Sequence, residues 1–308
     1  MTTASRIPPP PDVPDNQRAV GETPLRFEDL AQDGRLRLEG VWPPIGPILW
    51  GKMDIAASLA RLGRSGVRAV LTYVALEGTD EPLSVRNRIR TEVRYRLGHT
   101  VDASGAVNRL TFDTWLTLSG PRGEPNAPGL PSDGPEVIAA RAYGQHVLTK
   151  PAAPPGQHRV LALDDEALPA VPPHQSQWVA PFGLLELPVG ATALTPSPVL
   201  ERQPVVFGLS HTDGNQHVNF LAYPRLAEEA ALRRFDALGK SARVLARRSE
   251  VGYRKPCFAG QRAWLALRPF ELEGRLGAVV SFHPAPDIDA ASGLPAAAAS
   301  CIARLVFG

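Results

Sequence analysis

Proline lacks a backbone N–H and fixes φ, so a segment dense in it forms neither a helix interior nor an inner strand. Between residues 151 and 200 this chain carries ten prolines, at 151, 154, 155, 169, 172, 173, 181, 188, 196 and 198. That segment divides the 308 residues into two portions of similar size, each large enough to bury a core of its own. Two domains are therefore expected, over 21–150 and 201–308. The segment 151–200 reads as a connection crossing the surface, with one short strand near Trp178 to Leu187. Prolines 8 to 11 and 14 mark residues 1–20 as an extended, disordered arm.

The two portions repeat one order of elements. In the second, a strand near Pro204 to Leu209 precedes a helix that ends about Leu238, with Pro224 in its first turn and Gly239 as its C-terminal cap. Strands follow at 242–255, 261–271, 276–283 and 299–307. In the last of these, Cys301, Ala303, Leu305 and Phe307 alternate with Ser300, Ile302, Arg304 and Val306, the period-two pattern of a strand. In the first portion, Lys52 to Leu62 is helical, with Ile55, Leu59 and Leu62 on one face. Strands are expected after it at 67–76, 84–97, 108–118 and 137–148. The fold class is α+β: one helix followed by antiparallel strands that wrap it, twice in one chain.

Composition limits the function classes. A formal net charge of +2 lends no weight to nucleic acid as a partner. No run of eighteen apolar residues occurs, so membrane insertion is not expected, and residues 1–17 lack the apolar core of a secretory signal. The two cysteines, Cys257 and Cys301, have no metal-knuckle spacing; a disulfide between them is open, and a reduced, cytoplasmic chain fits better.

The chemistry concentrates in Ser210-His211-Thr212-Asp213-Gly214-Asn215-Gln216-His217-Val218-Asn219, just ahead of the second helix. Asp213, Asn215 and His217 recur at alternate positions, where helix N–H groups lack partners and can hold an anion or polarise a carbonyl. Asp213 can direct a water or act through His217, imidazole being a general acid–base group. The plainer account is that Asp213 or Asn215 only caps the helix and that His217 packs beside its start. A metal held by His211, Asp213 and His217 has no further ligand cluster behind it. Cys257 is either a nucleophile or a small buried hydrophobe.

Asp213-x-Asn215-x-His217-Val218-Asn219, then Tyr223 and Glu229, resembles the acyl-carrier-protein thioesterases of the hotdog superfamily. Tyr253-Arg254-Lys255-Pro256-Cys257 is similar to that family's second block, with Pro256 where the family has a catalytic Glu. The resemblance spans roughly residues 201 to 270 and implies a double hotdog whose first copy lacks the polar triad. It implies Asp213, Asn215, His217, Glu229 and Cys257 as the catalytic set, and Gly214, Val218, Tyr223 and Arg254 as substrate-binding. Glu229 is the nearest carboxylate to replace the missing Glu, a structural role being as good an account of it. Backbone N–H groups from Gly214 to Val218 would stabilise the oxyanion.

The expectation is a hydrolase of acyl thioesters of coenzyme A or an acyl carrier protein, with no cofactor and no metal; a homodimer is compatible with it. From Arg225 to Lys255, nine basic residues stand against four acidic ones, a surface suited to coenzyme A phosphates or an acidic carrier, or simply a solvated face. A dehydratase or acyltransferase acting on carrier-bound intermediates is the first rival. A non-catalytic acyl-thioester binding protein, argued by Pro256, is the second.

Overall fold

The computed structural model describes residues 7–287, 289, 295 and 297–308. The chain forms two compact units, Met1–Val179 and Ala180–Gly308. The connection expected over 151–200 therefore does not stand apart as a third body. The first six residues of the expected arm lie outside the described residues. The rest of the arm is not free: the Pro8 carbonyl accepts the Trp115 indole N–H at 3.0 Å, and the Pro11 carbonyl accepts Arg94 at 2.8 Å. Proline carbonyls remain strong acceptors, which is how a segment without regular structure is still tied down.

The first unit contains β1 (Arg18–Pro24), α1 (Ile45–Lys52), α2 (Ile55–Arg64), β2 (Arg68–Gly78), β3 (Arg88–Val101), β4 (Val107–Pro121) and β5 (Glu136–Thr149). Its strands are antiparallel in the order β1-β3-β4-β5-β2. The helix expected over Lys52 to Leu62 is α2, which starts at Ile55 and has Ile55, Ser58 and Leu62 as its buried stripe; α1, ahead of the break at Met53 and Asp54, was not expected. β1 was hidden by its position in the proline-rich start, and Gly21 lets it run against α1, where a Cβ would stand 2.8 Å from Ile48 Cγ1. β4 is buried on both faces from Leu110 to Leu116. One face carries Phe112 and Thr114 beside Trp42; the other carries Thr111, Asp113 and Trp115.

The second unit contains β6 (Thr192–Ala193), β7 (Val199–Leu200), β8 (Val205–Val206), α3 (Ala222–Ala237), β9 (Ala246–Tyr253), β10 (Arg262–Leu272), β11 (Arg275–His283) and β12 (Cys301–Phe307). The long strands run antiparallel as β9-β12-β11-β10, and β6, β7 and β8 line the remaining edge of β10. The strand expected near Trp178 to Leu187 is instead a 3-10 helix at Pro181–Leu185, as prolines in a short loop favour. α3 lays Tyr223, Leu226, Ala227, Ala230, Ala231 and Phe235 on the sheet, a stripe at helical spacing whose alanines permit close approach. Phe235 meets Phe307 edge-on at 5.1 Å. Pro224 falls in the first turn, and Gly239, at φ 68°, ends the helix in a left-handed turn.

Candidate active site

The loop ahead of α3 is a tight hairpin. Thr212 and Val218 form an antiparallel bridge, and the Asp213 N–H reaches the His217 carbonyl at 3.3 Å. Gln216, at φ 64°, is a non-glycine residue in the left-handed region at its tip. The turn sets Asp213 and His217 at its two ends and leaves Gly214, Asn215 and Gln216 exposed.

Asp213 is fixed at both oxygens. Oδ1 accepts the Asn215 N–H at 2.8 Å, and Oδ2 accepts the Asn219 side-chain amide at 2.8 Å. Asn219 then binds the start of α3: its Oδ1 accepts the Leu221 N–H and its carbonyl accepts the Ala222 N–H. Neither Asp213 nor Asn215 caps the helix, because α3 begins only at Ala222; Asn219 instead fastens the turn that leads into it. Asn219 stood in the motif without an assigned role; an Asn two residues before a helical stripe was the available signal.

His217 Nδ1 lies 3.2 Å from the Val218 carbonyl. A carbonyl only accepts, so this bond places the proton on Nδ1 and leaves Nε2 as the basic nitrogen. The Val218 N–H reaches the Cys257 carbonyl at 2.7 Å, which joins the loop to the segment after β9. That strand ends at Tyr253, short of Pro256.

Cys257 is buried and free, as is Cys301. Tyr223, from the first turn of α3, places its hydroxyl beside Cys257. Burial, then the neighbouring sulfur, pushes the Tyr223 hydroxyl well above its ordinary range, so it stays a neutral donor. Its ring contacts Phe207, Tyr253 and Phe282 at centroid distances of 5.8, 5.8 and 5.3 Å. Tyr253 in turn donates to the Phe220 carbonyl at 3.0 Å.

Asp213, His217, Val218, Tyr223 and Cys257 thus form one connected group with Asn219. Asn215 contributes its backbone N–H to Asp213, while the residue itself is exposed. Glu229 lies seven residues along α3, about 10 Å beyond Ala222 at the helical rise. It is exposed and takes the Arg225 side chain at 3.4 Å. The Arg254 guanidinium stacks 4.0 Å over the Phe182 ring and donates to the Ala299 carbonyl. Neither side chain is engaged with the loop. Basic residues are also partly matched, Arg233 and Arg234 to Glu201 and Lys240 to Glu271.

A polar group in the first unit escaped the sequence reading. Asp113, in the middle of β4, is 2 % exposed, takes the Ser176 hydroxyl at 2.9 Å, and has Gln145 opposite it on β5. An Asp inside Leu110-Thr111-Phe112-Asp113-Thr114-Trp115-Leu116 was the signal for it. Among the described residues no group of three His, Cys, Asp or Glu side chains could hold a metal ion, and no helix is long and apolar enough to cross a membrane.

No family model matches the chain, and no curated protein matches its sequence. Solved structures do. An acyl-ACP thioesterase from Bacteroides thetaiotaomicron VPI-5482 is similar at a TM-score of 0.55 and 16% identity, covering 96% of this chain and 99% of that one. A 12:0-ACP thioesterase from Umbellularia californica is similar at a TM-score of 0.53 and 13% identity, covering 95% and 97%. Identity this low carries the fold alone. The chain is a double hotdog, with the α+β architecture that those thioesterase structures share along nearly their whole length.

Proposed function

We propose that the chain hydrolyses acyl thioesters of coenzyme A or an acyl carrier protein at the loop before α3. The observation that carries this reading is the pinning of Asp213. Each carboxylate oxygen has one N–H donor, so the group is oriented before any substrate arrives yet keeps lone pairs to direct a water. His217 stands at the other end of the turn with Nε2 free to take a proton from that water and return it to the leaving thiol.

The loop N–H groups of Asn215, Gln216 and Val218 are already bonded. Gly214 and His217 are left, among the described residues, as the donors we assign to the developing oxyanion. Cys257 lies beside the Tyr223 hydroxyl in a buried aromatic setting, so we assign it packing rather than attack. Two buried free thiols fit the cytoplasm as the compartment.

The test is to incubate the protein with a panel of acyl-CoA and acyl-carrier thioesters and follow free thiol. Release that is abolished in Asp213→Asn supports hydrolysis. The second reading, binding without turnover, is favoured by Pro256 and by the distance of Glu229. It predicts saturable binding of the same thioesters with no thiol released.

A further inference from the structure

The buried row around Asp113 fastens a length of chain. Arg96 on β3, Asp113 on β4 and Gln145 on β5 stand opposite one another across three strands. Residues 174–179 lie along this row. The His99 N–H reaches the His174 carbonyl at 2.8 Å, and the Ser176 N–H reaches the His99 carbonyl at 2.7 Å. Gln145 closes the far end: its amide donates to the Gln177 carbonyl at 2.9 Å, and its oxygen accepts the Val179 N–H at 3.0 Å. Ser176 is the central fastening, donating to Asp113 Oδ2 while accepting from the Thr111 hydroxyl at 2.8 Å. Gly98 makes this approach feasible, since a Cβ there would collide with Ser176 Oγ and lie 3.0 Å from the His174 carbonyl.

The partners of Asp113 are a poor match for a negative charge. Oδ1 and the Arg96 Nε are both buried without a hydrogen-bond partner. Arg96 stacks over the Trp115 ring instead, 5.5 Å from its centroid, and among the described residues it forms no ion pair with Asp113. The other titratable or charged groups on this face include Tyr143, within reach of Asp113, His174 on the strap above His99, and Arg109 on β4, whose guanidinium stacks 4.7 Å over the ring of Trp178 in the strap. Arg94, further along β3, is paired to Glu92. His146 lies on the opposite face of β5, paired across to Phe112. An ionised carboxylate here has lost its water and received mainly neutral donors in return.

We propose that residues 174–179 form a proton-controlled strap, fastened to the first unit's sheet while Asp113 is protonated and loosened when Asp113 is ionised. Burial holds the Asp113 carboxyl up at about 6, against the pull of the Ser176 hydrogen bond, the nearby Gln145 and Tyr143 and the Arg96 charge. His174 is driven down by burial, then by Arg96 and His99, so its protonation would loosen the strap in acid, the opposite sense, and does not reproduce the effect. With the strap open, water reaches Asp113 and returns it toward the ordinary 3.8, so ionisation drives opening. Acidification closes the strap and neutral pH loosens it.

Hydrogen exchange on the full-length protein tests this, read by mass spectrometry on peptides spanning 172–179 and corrected for intrinsic chemical exchange. The opening equilibrium should rise about thirtyfold from pH 4 to pH 6 and level off above about pH 7. Asp113→Asn, a neutral carboxamide of the same shape, should hold the strap closed with no such rise. A flat wild-type profile overturns the proposal, as does an Asp113→Asn variant that keeps the wild-type profile. An equal rise in peptides from β3 to β5 also overturns it, because that would be unfolding of the unit and not release of the strap. The wild-type comparison needs no variant and stands even if the substitution prevents folding.

Discussion

At the scale of single residues, Asp213 bears most of the functional reading. Asp213→Asn keeps the shape of the side chain but replaces one acceptor oxygen with a donor, and it should lower thioester turnover at least about a hundredfold. His217→Ala should do the same, measured as thiol release at saturating substrate. Both variants retaining wild-type rates while folded would reduce the loop to a helix entry. Cys257→Ser should keep most activity, with no acyl group trapped on residue 257 by mass spectrometry under a slow substrate. These residues were legible because they lie within a few positions of one another, so the spacing itself places them together. The Asn219 link was half legible, as a polar residue near a helix start. Asp113 was not, since its partners Ser176 and Gln145 lie 63 and 32 positions away and only strand pairing brings them near.

At the scale of elements, the long strands β2 to β5 and β9 to β12 were readable, with boundaries displaced by a few residues, although β12, read from its period-two pattern, is buried along its whole length. Of the two-residue strands only β8 falls within an expected strand, that near Pro204 to Leu209; β6 and β7 were not readable, because an edge strand that short carries no periodicity, and β1 was hidden beside the prolines. The break between α1 and α2 was also silent: Met53 and Asp54 are tolerable inside a helix, and tertiary packing decides the matter. In the first unit, packing of the turn before α1 against the sheet depends on Gly144. A Cβ there would lie 2.7 Å from the Trp42 ring and 2.9 Å from Thr114 Oγ1. Gly144→Ala should therefore destabilise the protein by about 1–3 kcal/mol through overpacking, read as a lower urea midpoint. An unchanged midpoint would mean that Trp42 yields freely. In the second unit, Phe235→Ala should cost about 3–5 kcal/mol, since the ring is fully buried against Phe307.

At the scale of the whole molecule, two buried groups of the first unit oppose each other in acid. The Asp113 carboxyl is raised to about 6, so its folded form holds a proton that the unfolded chain has released, and its stabilisation is lost as pH rises from 3.8 to about 6. The His146 imidazole is lowered to about 4 by burial, so the unfolded chain takes up a proton first and stability rises with pH from about 4 to 6.5. Each amounts to about 3 kcal/mol, with opposite sign over nearly the same window. Removing one should expose the other: Asp113→Asn should gain stability steeply from pH 4 to 6.5, and His146→Gln should lose it. Urea titrations at several pH values, followed by tryptophan fluorescence, read this in the first unit, which holds four of the five tryptophans. Parallel slopes in both variants would contradict the assignment. The second unit offers a different reporter. Cys301 opens β12, hydrogen-bonded between β9 and β11, with no exposed surface. A thiol reagent in solution cannot reach that sulfur until the strands part. At saturating reagent, the slow modification of Cys301 therefore runs at the rate at which the sheet opens, and the chain carries an internal clock of its own lifetime.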